Sequence, residues 1–367
     1  MNKRERVLRT LEIEEPDRVP IMEMDIEIPL MEAITGRKFQ AATSLQTPVN
    51  ANRDMERKRV DIKADCYNKI GFDVFTMDLS APEDWEPLVN PDGTIVDLWG
   101  RVLRLDKQSK AWVPYTTVFN VPEDYDEFRP LNPNDTGWTF AVEYSRRIIG
   151  EDMALAAFIR DPFAHAWEMF TPMKFVTWMY QRPGFIKRVL NQLTDFNVEI
   201  IKQIAEADVD FILSGGDYCE KKGPMVPITF FHKVIFPNLK RQVTTSHKKG
   251  MKFIKHTDGN IIPLLDDMAE IVDGVHSLDP SAGVDISKVK AEYGERLILM
   301  GNISVDNLAN KSRLEIVDET KTCIRSTSPG GGHVLTSSNS WAAGANLENC
   351  MTMVETGKKY GVYPIRI

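Results

Sequence analysis

The 367 residues, 43% hydrophobic and 27% charged, have the balance of a protein with a buried core, which excludes the disordered and low-complexity classes. Set against 45 Lys and Arg, 53 Asp and Glu leave a net charge of −8 and disfavour a general nucleic-acid or anionic-membrane binder, since either needs basic surface. No apolar window is long enough to span a membrane, and Cys66, Cys219, Cys323 and Cys350 form no CxxC pair, which argues against disulfide, zinc-ribbon and iron–sulfur scaffolds.

The first predicted element, Asn2–Ile13, carries Val7, Leu8 and Leu11 at helical spacing and is stopped by Pro16. The charged start, MNKRERVLRTLEIEEPDRVP, has no apolar core, so no secretory leader is expected and a reducing cytoplasm is the expected location. Apolar runs that read as strands follow at Val19–Met24, Phe72–Met77, Met153–Ile159, Val209–Leu213, Lys252–Lys255, Gly274–Leu278, Leu297–Gly301 and His333–Thr336. Helical patterns lie between them, clearest over Phe185–Ala207, Phe230–Lys248, Ile261–Val272, Arg313–Ser326 and Leu347–Tyr360. Strands alternating with helices predict one α/β domain over residues 1–367, a closed (β/α)8 TIM barrel. An open doubly wound sheet would carry a Gly-rich phosphate turn after strand one, where Glu23-Met24-Asp25-Ile26-Glu27 stands instead. Residues 80–135 interrupt the alternation. There the turn Asn90-Pro91-Asp92-Gly93, followed by Thr94–Trp99 and Val102–Leu105, predicts a β-hairpin inserted after strand two and covering one barrel mouth.

In such a barrel the chemistry sits at the carboxyl ends of the strands. Polar groups gather there: Glu23 and Asp25, Asp78, Arg160 and Asp161, Asp217, His256 and Asp258, Asp279, Asn302 and Asn339. Any one of them reads as a turn former or helix cap; together they predict a polar, largely acidic pocket. His256 and Asp258, two residues apart at a strand end, can face one way and form a ligand pair for Zn2+. The third ligand would come from Glu220, Asp217 or Asn339. In the other reading His256 hydrogen-bonds substrate directly and Asp258 orients a loop or caps a helix. His165 falls on the first turn of a helix near the mouth, and His276 reads as a core histidine inside a strand. Walker, GxGxxG, GxSxG and HExxH motifs are absent from the sequence.

Four blocks resemble the uroporphyrinogen decarboxylase superfamily, in order and over nearly the whole chain. They are Arg4-Glu5-Arg6-Val7-Leu8…Pro16-Asp17-Arg18-Val19-Pro20, His256-Thr257-Asp258-Gly259-Asn260, Gly301-Asn302-Ile303 and Gly331…Ser337-Ser338-Asn339…Leu347-Glu348-Asn349. The resemblance implies a single (β/α)8 barrel and one of two chemistries. Porphyrinogen decarboxylases carry an Arg-rich block after strand one, where this chain places acids that would repel a polycarboxylate. Asp78 matches their pocket aspartate, while their tyrosine falls near Trp167 and Glu168 and their late histidine at Asn339. The other chemistry is corrinoid-dependent methyl transfer. Relatives acting on coenzyme M hold zinc with a His-x-Cys pair and a distant Cys, where this chain has His256, Asp258 and Asn339. Relatives acting on aryl methyl ethers use two glutamates and a later histidine, and Glu220 stands at the first glutamate's distance from His256.

The resemblance thus implies a methyltransferase that moves a methyl group from a small methylated donor (aryl methyl ether, amine or alcohol) to a corrinoid protein. His256 and Asp78 would be catalytic, with Glu23, Asp25, His165, Asp217, Asn302 and Asn339 on the substrate, and Glu220, His256 and Asp258 on Zn2+. The alternatives are a decarboxylase or lyase, with Asp78 and His256 as proton carriers, and a non-catalytic binding protein. Decarboxylase relatives also imply a homodimer.

Overall fold

The computed structural model of the chain describes residues 1–39, 52–128 and 131–367. Strand β1 (Val74–Asp78) opens a parallel sheet, which is then interrupted by β2 (Leu88–Val89), β3 (Ile95–Val96), β4 (Arg101–Asp106) and β5 (Ala111–Thr117). The sheet resumes with β6 (Ala154–Arg160) and β7 (Phe211–Gly215). A small ribbon of β8 (Cys219–Glu220) and β9 (Gly223–Pro224) follows, then β10 (Lys252–Thr257), β11 (Gly274–Ser277), β12 (Ile298–Ile303) and β13 (His333–Ser337). Seven strands pair in the order β1-β6-β7-β10-β11-β12-β13, each parallel to its neighbour, with helices between most of them.

The strands are buried on both faces, as helix-covered parallel sheets are. Alternate residues divide the core. Val74, Ala156, Phe158, Leu213, Ile254, Met300 and Val334 pack together inside the barrel, while Phe75, Leu155, Ile212, Phe253, Val275 and Leu335 face the helices. The helix Lys3–Leu11, capped reciprocally by Asn2 and Glu5, adds Val7 and Leu11 to the interior cluster.

The expected first strand, Val19–Met24, forms no ladder. It still closes the barrel, as a stave held by single hydrogen bonds. Leu335 N–H donates to Pro20 O at 2.9 Å and Met22 N–H to Leu335 O at 3.1 Å; on the other side Asp73 N–H donates to Ile21 O at 2.8 Å. Two features prevent a regular strand: Pro20 has no N–H to give, and Ile21 N–H is taken at 2.8 Å by the Asp73 carboxylate. Asp73 is fully buried and also receives Arg6 at 2.7 Å and Arg18 at 2.8 Å.

The insertion is larger than the expected hairpin. It is a four-stranded antiparallel sheet, β2-β3-β4-β5. The Asn90–Gly93 turn forms as expected, with Asp92 Oδ1 accepting Thr94 N–H at 3.0 Å. The run Thr94–Trp99 shortens because Asp97 turns the chain, its Oδ1 accepting both Trp99 and Arg101 N–H at 2.9 Å. The unforeseen β5 contains Pro114 and lies at a sheet edge, where a missing donor is tolerated. Prolines also reshape two expected helices: Phe230–Lys248 opens with a π turn at Phe231–Ile235, and Ile261–Val272 becomes a 3-10 turn and the short helix Leu265–Ala269. Among the described residues no helix is long and apolar enough to cross a membrane.

Candidate active site

The carboxyl ends of the parallel strands open into a cavity of about 370 Å³, part of whose wall is Ser109 and Ala111 from the inserted sheet. His256, near the end of β10, stands at the centre of its polar groups and is 4% exposed. Its Nδ1 lies 2.6 Å from Nδ1 of His276 on the neighbouring β11. Its Nε2 lies 3.8 Å from Asp258 Oδ1 and 4.0 Å from Asp217 Oδ1, beyond hydrogen-bond reach of either.

The carboxylates are held from several strands. Asp258 Oδ1 accepts Ser277 Oγ–H at 2.7 Å, and its Oδ2 accepts the Asn339 side-chain amide. Asp217 Oδ1 accepts Asp258 N–H at 3.0 Å. Gly216 delivers Asp217 through a turn at φ 155°, where an added Cβ would meet Ala164 Cβ at 2.4 Å. The fully buried Lys255 clamps the same turn, donating to Gly216 O at 2.6 Å and His256 O at 2.9 Å.

Burial dominates the ionisation of the cluster. It pushes His256 below the ordinary imidazole range against the opposing pull of Asp258 and Asp217, and so favours the neutral ring. Burial pushes Asp258 up. At Asp217 burial acts upward too, but His256, the Asp258 N–H and the charges of Arg160 and Lys255 outweigh it, and the carboxyl lies below its usual range. One ligand atom from each of Asp217, His256 and Asp258 lies within 4.8 Å of the others, a grouping suited to a metal ion. Glu220 is outside it. Its side chain is exposed on β8, and its backbone O accepts Asn260 N–H at 3.0 Å.

The remaining sequence-selected residues divide. Asp25 and Asp78 line the cavity, each paired with a cation: Asp25 with Lys63 at 2.7 Å, Asp78 with Arg59 at 2.8 Å. Asn339 also lines it. Glu23, His165 and Asn302 do not. Glu23 is fully buried, accepting Ser337 Oγ–H at 2.8 Å, and burial raises its carboxyl to about 8. His165 stacks on Trp99 of the insertion, ring centres 3.9 Å apart. The Asn302 amide donates to Leu278 O at 2.9 Å.

The sequence pattern of the family described as uroporphyrinogen decarboxylase (URO-D) matches residues 103–360, more than half of the chain. The chain belongs to that family. No curated protein matches the sequence. Among solved structures it resembles a methyltransferase from Methanosarcina mazei with a TM-score of 0.74 at 18% identity, over 98% of this chain and 99% of that one. It also resembles a B12-independent methionine synthase from Shewanella sp. W3-18-1 (TM-score 0.52, 11% identity, 88% of this chain and 97% of that one). A third likeness is to a putative vitamin-B12 independent methionine synthase from Listeria monocytogenes (TM-score 0.50, 11% identity, 93% and 98%). At such identities these likenesses establish the barrel and leave the reaction to the site.

Within this URO-D barrel, some cavity residues come from outside the strand ends. Arg59 and Lys63 project from the helix Arg53–Ile70, four residues apart and therefore on one face. Their spacing was the available signal, but an i, i+4 cation pair is common on solvated helices. Arg160 joins a buried ionic chain through Glu168 to Arg101 and Asp97 of the insertion.

Proposed function

We propose that the chain is a methyltransferase, taking a methyl group from a small methylated donor (an aryl methyl ether, amine or alcohol) and passing it to cobalt of a corrinoid protein docked over the barrel mouth. The observation that carries this reading is His256 Nε2, free of hydrogen bonds among the described residues and set between two carboxylates in the strand-end cavity of a URO-D barrel. The fold likeness to a methyltransferase supports it.

Asp217, His256 and Asp258 fit a divalent ion such as Zn2+. The imidazole is kept neutral by burial, its Nδ1 is occupied by His276, and its Nε2 is left for coordination with two carboxylate oxygens. Bound there, the ion would supply Lewis-acid polarisation of the donor's oxygen or nitrogen. Transfer breaks the donor's C–O or C–N bond and forms a methyl–cobalt bond, so the electron pair left on oxygen or nitrogen needs a proton. Asp258, held by Ser277 and Asn339, would be an ionised ligand of that ion, so the proton comes from solvent as the product leaves. Asp78 with Arg59 and Asp25 with Lys63 orient the donor, while Met24, Ile26 and Phe158 enclose its apolar body and exclude water.

The test is anaerobic spectroscopy of cob(I)alamin with zinc-loaded protein and a panel of methylated phenols, amines and alcohols. Conversion to methylcob(III)alamin with one donor is expected, and His256→Ala should lower the rate by about 100-fold or more with an unchanged circular dichroism spectrum. Silence across the panel overturns the reading, and full activity in the variant removes His256 from it. Asp78 at the cavity wall is the observation favouring decarboxylation as a second reading. Carbon dioxide release from a small non-porphyrin carboxylic acid would support it.

A further inference from the structure

Arg160 ends β6 and lines the cavity with Phe158, Asp217 and His256, although only 8% of it is exposed. A guanidinium presents several N–H donors in a planar fork, and burying them without acceptors is costly. Among the described residues the Arg160 side chain donates to Glu168 alone, and its Nε is buried with no partner. Glu168 is shared: its second oxygen accepts Arg101 Nη1 at 2.5 Å, and Arg101 is held in turn by Asp97 at 2.7 Å. The other cations of the cavity are committed, Arg59 to Asp78 and Glu56 and Lys63 to Asp25.

We propose that Arg160 anchors a carboxylate of the small molecule bound here, so that the methyl donor is an acid with an apolar body. This rests on the methyl-donor reading of the cavity. A carboxylate matches the guanidinium fork in shape and charge, which a neutral oxygen does not. Phe158, two residues earlier on the same face of β6, lies beside the anchor to take the apolar body. The charges set the direction of binding. In the metal-free protein Asp217 and Asp258 repel an acid group from the His256 end, which leaves that end for the methylated oxygen or nitrogen.

4-Methoxybenzoate and 4-methoxybenzamide have nearly the same shape and differ in charge. Isothermal titration of the full chain with each should show the acid binding about 10-fold or more tightly than the amide. Arg160→Met should bring the two within about 2-fold of each other by weakening the acid alone, and Arg160→Lys should restore part of the preference. Glu168 keeps Arg101 in both variants; if thermal unfolding shows that the Met variant is not folded, the Lys variant carries the comparison through its partial loss of preference. Equal binding of acid and amide by the wild type, no binding of either, or a preference that survives in a folded Met variant overturns the proposal. The binding readout needs no cobalt. Acid-selective binding without methylcob(III)alamin would keep the anchor and remove the transfer reading, whereas methyl transfer from neutral donors alone would do the reverse.

Discussion

His256 depends on a neighbour for its availability. With Nδ1 of His256 and His276 2.6 Å apart, one ring donates and the other accepts. If His256 donates, its Nε2 offers a lone pair to the cavity and His276 keeps a hydrogen on a buried Nε2 that has no partner among the described residues. If His276 donates, His256 Nε2 carries the hydrogen and a cation must displace it. Burial lowers both rings below the ordinary imidazole range, so the exchange is between neutral tautomers at pH 7. His276→Phe keeps a ring in the core and removes the nitrogen. Cobalt(II) affinity, read from its visible spectrum, should fall by about 10- to 100-fold while the protein stays folded. Unchanged affinity would show that His276 does not control His256. A histidine inside an apolar strand reads as core, which it is; nothing in the spacing of His256 and His276 reveals that neighbouring strands bring the two rings together.

At the level of elements, the stave at residues 19–23 is held in the barrel wall by single hydrogen bonds in place of a ladder. Asp73 secures it, collecting Arg6, Arg18 and Ile21 N–H on one buried carboxylate. Asp73→Asn should cost about 3 to 5 kcal/mol, since it leaves the buried Arg6 and the half-buried Arg18 short of their partner. A shift of the urea midpoint at unchanged slope would show it, and a shift below about 1 kcal/mol would mean that the stave holds without Asp73. The barrel strands were legible because a two-sided buried strand must be an apolar run, and the large amphipathic helices because their stripe repeats. The stave's irregularity was hidden because a distant carboxylate, Asp73, takes the Ile21 N–H, whereas the break in Thr94–Trp99 comes from a local one, Asp97, which accepts N–H groups two and four residues on. The same limit applied to the site. His256, Asp217, Asp258 and Asn339 were visible as strand-end residues, whereas Glu23 and Asn302 carry the same signature and lie outside the cavity, as does His165 on its helix. Arg59 and Lys63 reach the cavity from a helix that no strand-end rule covers.

For the molecule as a whole, two carboxyls link stability to pH in opposite senses. Glu23 has its folded value raised by burial to about 8 from 4.5, so the stability linked to it is fully present below pH 4.5 and is lost as pH rises through 8. Between pH 4.5 and 7 the loss is ~3 kcal/mol. Asp17 is lowered to about 2 from 3.8, chiefly by its hydrogen bond from Arg6, so its contribution holds above pH 3.8 and is lost as pH falls through 2. The buried His165, His256, His276 and His333, all lowered from 6.5, act in the opposite sense below that pH, so the decline belongs above it: the thermal midpoint should fall from pH 6.5 to alkaline pH, and Glu23→Gln should flatten that fall; an equally steep fall in the variant would place its origin elsewhere. At the same scale, the chain Asp97–Arg101–Glu168–Arg160 has a consequence for how such a protein can be altered. Its first two members belong to the inserted sheet and its last two to the barrel, and all four are buried. The insertion therefore cannot be traded between relatives as a cassette. A recipient without an acid at position 168 would inherit a buried arginine short of a partner, and the donor would retain Glu168 facing Arg160 alone. Grafting must move the four residues as a unit, and natural variation should change them together or leave them alone.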